Sequence, residues 1–275
     1  MTEAPARRWR MPLLVRITLL LHAALLAAVI VRPGSWPWLL ALLFANHAVL
    51  AAVGLWPRST WLGQNYTRLP PAAAARREIA LTIDDGPDPE VTPQVLDLLD
   101  RYNVKATFFC IGANAARHPE LCRNMIARGH AIENHSQHHR HNFSLLGWAG
   151  IAREVQAGQD TLYAIAGRRP AFFRAPAGLR NPFLDPVLAR LELRLVAWTR
   201  RGFDTRTTDP GLVKRRLMRD LKPGAILLMH DSNCARTAAG VPVILAALPD
   251  LLDAAAAAGL HFVTLSAAFH PTHHD

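Results

Sequence analysis

Cysteine is scarce: Cys110, Cys122 and Cys234 are odd in number, and no two are closely spaced. That excludes a disulfide framework and a thiolate zinc site, and Cys110, inside the apolar run 108–111, reads as a packed structural thiol. No glycine-rich loop follows the first apolar run of the C-terminal region, which disfavours a nucleotide-phosphate cradle. There is no internal repeat, and no low-complexity segment beyond some alanine-rich stretches. Acidic residues are also few. The 21 Asp and Glu against 31 Lys and Arg leave a formal net charge of +10, which fits an anionic partner such as a lipid headgroup or a phosphate-linked substrate. Those cations form no stripe interleaved with stacking aromatics, so nucleic acid is not expected as the partner.

Hydrophobic residues make up 51% of the 275-residue chain, slightly high for a soluble protein, and the excess lies at the front. One apolar run covers Leu13 to Val31, broken by Arg16, Thr18 and His22. A second covers Trp36 to Trp56, broken by Pro37, Asn46 and His47. Each matches the roughly twenty residues that cross a bilayer core as a helix. The second run is too long for a signal-peptide core, and neither precedes a small-residue cleavage pattern. Residues 1–56 are therefore expected to form two transmembrane helices, 13–31 and 36–56, joined as a hairpin by the link 32–35. Trp36, Trp38, Trp56 and Trp61 fall near the interfaces that indole prefers. Arg7, Arg8 and Arg10 precede the hairpin and Arg58, Arg68, Arg76 and Arg77 follow it, against Arg32 alone in the turn. By the positive-inside rule both ends, and the domain that follows, face the cytoplasm of a bacterial inner (cell) membrane.

Residues 57–77 read as a linker, residues 78–268 as the main domain and 269–275 as a tail. From Glu78 short apolar runs alternate with helical periods, and strands are predicted near 79–83, 106–111, 131–133, 171–173, 193–198, 225–229 and 261–265. Helices between consecutive strands imply a parallel sheet. An open doubly wound sheet and a closed barrel both satisfy this alternation. Asp84 and Asp85, His135, Arg174, Asp204, and His230 with Asp231 all fall at or after carboxyl ends of different strands, which favours an α/β fold of distorted (β/α)7-barrel type.

The chemistry begins at Thr82-Ile83-Asp84-Asp85-Gly86-Pro87, read with His135 and His139. One carboxylate and two imidazoles can hold a divalent metal, zinc or a first-row neighbour such as cobalt, and the second carboxylate stays free to move protons. Histidines four apart can face one ion from a single helical turn. Three protein ligands leave positions open, as a catalytic site requires. Taken singly, either aspartate could cap the helix that follows, and the histidines could lie on the surface. His138 and His141 read as solvated or outer residues, and His270, His273 and His274 as a tail without function.

In order along the chain, the run Thr82 to Gly86, the set His135-Ser136-His139, the stretch Phe173, Arg174, Pro176 and Gly178, then Asp204, then Leu228 with His230, resemble the five motifs of the polysaccharide deacetylase family. This is the NodB-homology domain of carbohydrate esterase family 4, and the likeness covers Glu78 to about Leu265. The resemblance implies a NodB-like barrel and hydrolysis of an N-acyl group, acetyl or formyl, from an amino sugar of a polysaccharide or lipid-linked glycan. It implies Asp85, His135 and His139 as metal ligands, Asp84 as catalytic base, His230 as general acid, Arg174 as the residue orienting the base and Asp204 as the partner tuning the acid. Leu228 would line the pocket for the acyl methyl, beside Pro176 and Ala177, and the Ala177 amide would meet the oxyanion.

The chain departs from the family pattern at Arg201 and Thr205, where many members carry aspartate and tryptophan, and at Ala177, often aromatic. Together with the hairpin, these departures turn the expectation from a long neutral polymer towards an acylated sugar on a polyprenyl phosphate or another glycolipid. Two rival readings stand beside the hydrolase. One is a membrane-anchored carbohydrate-binding protein that has lost catalysis. The other is a non-haem iron oxygenase, which uses the same ligand set.

Overall fold

A computed structural model describes residues 9–270; Arg7, Arg8, His273 and His274 lie outside them. Two long helices open the chain, α1 (Leu13–Val31) and α2 (Trp36–Gly54), joined by a short 3-10 turn at Pro33–Ser35. Both are long and apolar enough to cross a membrane. Their apolar side chains point outward: α1 has no buried residue, and Leu13, Ile30 and Phe44 are each about 70% exposed. The polar interruptions meet between the helices instead. Thr18 Oγ1 donates to Asn46 Oδ1 at 3.2 Å, and the His22 and His47 rings stack edge-on at 5.2 Å. Polar groups that pair across a helix interface are the ones a hydrocarbon environment tolerates.

The domain is built on eight strands: β1 (Glu78–Asp84), β2 (Thr107–Cys110), β3 (Ala131–Asn134), β4 (Phe172–Phe173), β5 (Arg194–Leu195), β6 (Arg200–Arg201), β7 (Ile226–His230) and β8 (His261–Phe262). Their order is β5-β4-β3-β2-β1-β7-β6, with β8 also on β1, and every pairing is parallel. β1 is central because Ile79 to Asp84 are buried throughout, as a strand covered on both faces must be. The crossover helices supply that cover. Val91, Val95, Leu98 and Leu99 of the helix Val91–Arg101 recur at helical spacing and are buried against the sheet.

The sheet curls but does not close, for β5 and β6 are its two edges. The single strand expected over 193–198 is two short ones, separated where Trp198 and Thr199 turn from one edge to the other. The segment read as a linker occupies this gap. Tyr66 donates to Leu195 O and accepts from Ala197 N, both at 2.9 Å, and Leu69 donates to Gly224 O at 2.8 Å beside β7. Leu62, Leu69 and Ala73 are buried, the last in a short helix α3 (Pro71–Ala75). Its lack of periodicity reflects single-residue bridges and a proline-started turn, which leave no repeating pattern in a sequence.

The hairpin is tied to this domain. Arg180 N donates to Gly54 O at 3.1 Å, Asn65 Nδ2 to Pro57 O at 2.8 Å, and Trp9 Nε1 to Asp185 Oδ2 at 3.0 Å. A Cβ at Gly54 would lie 2.3 Å from Arg180 O, so glycine permits the contact. An apolar cavity of about 630 Å³ remains between α1 and residues 60–64.

Candidate active site

Parallel register brings the polar residues to one level. Asp84 at the end of β1 pairs with His230 at the end of β7, and Cys110, Asn134 and Phe173 align so that His135 and Arg174 follow side by side. Beyond these ends the backbone takes left-handed conformations at several non-glycine residues, among them Asp85 (φ 77°), Ser136 (65°), His139 (48°) and Ala177 (53°). Such conformations are costly, persist only where surroundings enforce them, and cluster at functional sites. Here the enforcers are visible. Asn114 Nδ2 donates to Asp85 O at 2.8 Å, Asn134 Oδ1 accepts from Ser136 N at 2.8 Å, and Ser136 Oγ accepts from His139 N at 3.0 Å.

That loop corrects one expectation. His135 and His139 do not share a helical turn, since left-handed Ser136 and His139 are incompatible with a helix. The loop still sets their rings 4.8 Å apart. With Asp85 they form one cluster of ligand atoms within 4.8 Å of one another. His135 Nε2 lies 3.3 Å and His139 Nε2 3.4 Å from Asp85 Oδ1. His135 Nδ1 meets Arg174 O at 2.8 Å, which fixes the ring and leaves Nε2 for the cluster. Asp85 Oδ1 is buried and has no hydrogen-bond partner. A buried acceptor left alone in this way fits a cation, and the oxygen and imidazole donors suit a first-row divalent ion. Burial opposes ionisation of Asp85, but His135, His230 and His139 hold its carboxyl well below the usual range. Burial and the neighbouring His135 push His139 down to about 4, so its imidazole is neutral near pH 7.

Asp84 is bound through Oδ1 by Arg174, and its Oδ2 lies 3.8 Å from His135 Nε2 of the cluster. The guanidinium, 1% exposed, donates to Asp84 Oδ1 at 2.6 Å, Thr82 Oγ1 at 2.8 Å, Val196 O at 3.2 Å and Ala197 O at 2.9 Å, and lies 4.1 Å over the Phe109 ring. On the other flank Asp204, fully buried in the loop after β6, accepts from His230 N at 2.7 Å and pairs with His230 Nδ1 at 3.0 Å. Burial alone would lower the His230 pKa. The Asp204 charge and hydrogen bond, with Asp84 and Asp85 behind them, raise it to about 9. The ring is a cation at neutral pH, and Nε2 is its remaining donor.

Leu228 packs with Trp198 and Ala197 as a small buried apolar cluster. Pro176 is buried and Ala177 exposed in a turn where Gly178 and Leu179 donate to Ala175 O and Pro176 O. Among the described residues, the Ala177 N–H has no backbone acceptor. A cleft of about 550 Å³ opens beside His139, with Asn114, His138, His141 and Asn233 on its walls. His138 is exposed, as expected, and its ring meets Glu154 at 3.0 Å. Asn114, Asn134, Glu154 and Trp198 were not foreseen from sequence, because an asparagine that props a strained loop leaves no spacing signature.

The polysaccharide deacetylase family model matches residues 72–196. The chain is 32% identical over 195 residues to a peptidoglycan-N-acetylglucosamine deacetylase of Bacillus cereus, covering 68% of this chain and 86% of that protein. It belongs to the polysaccharide deacetylase family. Against the Listeria monocytogenes peptidoglycan-N-acetylglucosamine deacetylase PgdA the identity is again 32% over 195 residues, but the match spans only 39% of that longer deacetylase. A crystal structure of a peptidoglycan N-acetylglucosamine deacetylase in complex with 4-naphthalen-1-yl-N-oxidanyl-benzamide superposes with a TM-score of 0.68 at 27% identity, covering 76% of this chain and 94% of that one. The curled parallel sheet is therefore the polysaccharide deacetylase fold.

Proposed function

We propose that this deacetylase is a metal-dependent hydrolase that removes an N-acyl group, acetyl or formyl, from an amino sugar of a glycan presented at a membrane surface. One observation carries the reading: a cation-seeking cluster, Asp85, His135 and His139, lies beside an arginine-bound carboxylate, Asp84, whose register partner is an aspartate-bound imidazolium, His230. Bound by those ligands, a zinc or cobalt ion would supply Lewis acidity and positive charge beside the scissile amide.

The remaining work falls to the side chains. Asp84, fixed by Arg174, takes the proton of the attacking water. His230, kept charged by Asp204, passes its Nε2 proton to the leaving nitrogen, and without that proton the amine leaves poorly. The Ala177 N–H donates to the carbonyl oxygen as it gains charge, and Leu228 with Trp198 packs the acyl methyl. Retention of both Asp84 and His230 favours hydrolysis over a binding-only protein, and over an iron oxygenase, which needs neither group.

We place α1 and α2 across a membrane on the strength of their exposed apolar faces and the polar contacts between them. Arg10, Arg58, Arg68, Arg76 and Arg77 on the domain side, against Arg32 at the turn, favour a cytoplasmic domain. Full-length protein in detergent should release acetate or formate from an N-acylated amino-sugar glycan. Asp84→Asn should slow that release by about 10²–10⁴-fold while the glycan still binds. Equal turnover by the variant would refute the role of Asp84.

A further inference from the structure

Trp198 touches two guanidiniums: Arg174 on the catalytic side, 5.9 Å from its ring centroid, and Arg201, 5.2 Å away. The same indole lines a separate cavity of about 520 Å³ that holds neither Asp84 nor the metal cluster. Arginines dominate its wall: Arg58, Arg200, Arg201, Arg216 and Arg219, with no acidic residue among the lining groups. Asp220 pairs with Arg200 at 3.2 Å and Arg219 at 3.8 Å from an exposed position outside the lining, and the charge of buried Asp204 also acts on Arg201.

Arg58, Arg201 and Arg216 are held by contacts that bring no carboxylate of the described residues within ion-pair distance. Arg216 donates to Thr207 Oγ1 at 2.6 Å and Gly202 O at 3.2 Å, and Arg58 to Thr199 O at 3.3 Å. Arg201 lies 4.5 Å over the Phe203 ring; its Nε is buried without a hydrogen-bond partner, and no carboxylate among the described residues pairs with it. Planar donors gathered around one cavity are suited to phosphate oxygens, which they can bind two at a time.

The cavity lies at the foot of the membrane hairpin. Trp56 and Pro57, the residues just beyond α2, form its opposite wall. It also adjoins the chemistry, since Arg201 stands opposite Leu228 in the β6–β7 register. An anion held here is at the exit of a membrane span and one side chain away from the acyl pocket.

We propose that this cavity binds the phosphate of a phosphate-linked glycolipid, holding the lipid end of the substrate at the α2 exit while the sugar reaches past Trp198 to Asp84 and His230. The sugar half rests on the hydrolase reading above; the phosphate half does not. Bulk anionic headgroups share the chemistry, but they would not need a site against the acyl pocket.

The test uses full-length protein in phosphatidylcholine nanodiscs with farnesyl phosphate as probe. Saturable binding is expected, weakened at least about tenfold in Arg201→Gln and in Arg219→Gln and retained in His135→Ala. Arg219 is exposed, so its variant is not expected to disturb the fold. In parallel, acetate release is compared between a polyprenyl-phosphate-linked N-acetylamino sugar and its methyl glycoside, and the preference for the phosphate-linked form should fall in both arginine variants. Arginine-independent binding, or displacement of the probe by phosphatidylglycerol, overturns the site. Turnover with an unchanged preference in every variant overturns it too, leaving the hydrolase intact. Arginine-dependent binding without turnover of either sugar supports the site and sinks the hydrolase reading.

Discussion

The two halves of the active site are built on opposite principles. Around Asp84 and His230 every charge has a partner within the protein, through Arg174 on one side and Asp204 on the other, and all four side chains are buried. Around Asp85, His135 and His139 the backbone is strained, the ligand atoms converge and the Asp85 Oδ1 acceptor is left alone. On the proposed mechanism the half assigned to proton transfer is complete in the chain, whereas the half assigned to a metal is complete only with a cation. The contrast shows how one end of the curled sheet can give two adjacent aspartates different surroundings: their positions differ by one residue, but only Asp84 pairs with an arginine.

Perturbing each half should separate them. The largest effect is expected from His135→Ala, which removes a ligand and should abolish both metal retention and acyl release, read by elemental analysis and acetate assay. Next comes Arg174→Gln, which leaves Asp84 as a buried unpaired charge. It should cost about 3–5 kcal/mol in unfolding stability and lower kcat, with metal content unchanged.

Asp204→Asn should act through pH. The His230 pKa is raised from 6.5 to about 9, so the stability and acid function of the pair are full below 6.5 and lost as pH rises through about 9. Without the Asp204 charge, burial prevails and the alkaline limb of kcat/KM should move towards or below neutrality; an unmoved limb would assign the acid elsewhere. The smallest effect is expected from Gly86→Ala. The new Cβ would lie 2.4 Å from the Asp231 carboxylate, which already binds Thr92 Oγ1. A shift of about 1–3 kcal/mol in thermal unfolding should accompany a modest loss of activity, because the loop carrying Asp85 must give way.

The residues that carry charge were legible in sequence because strand ends are short, punctuated and aligned by register. Asp84, His230 and Arg174 converge for that reason. The strained loop at Ser136 and His139 was not legible, since a four-residue spacing looks the same on a helix and on a left-handed turn, and only the Asn134 and Ser136 hydrogen bonds distinguish them. The segment 57–77 was misleading for a related reason. Its isolated bridges at Tyr66 and Arg68 close the gap between sheet edges without any periodic pattern. The arginine cavity draws residues from three separate stretches, which only the fold brings together.

The most direct test of the account is metal content and activity of detergent-purified full-length protein before and after chelation. We expect about one equivalent of zinc or cobalt per chain, loss of acetate or formate release on its removal, and recovery on its return. A chelated protein that binds no divalent ion at the Asp85, His135 and His139 cluster, or that hydrolyses as fast without one, would contradict it.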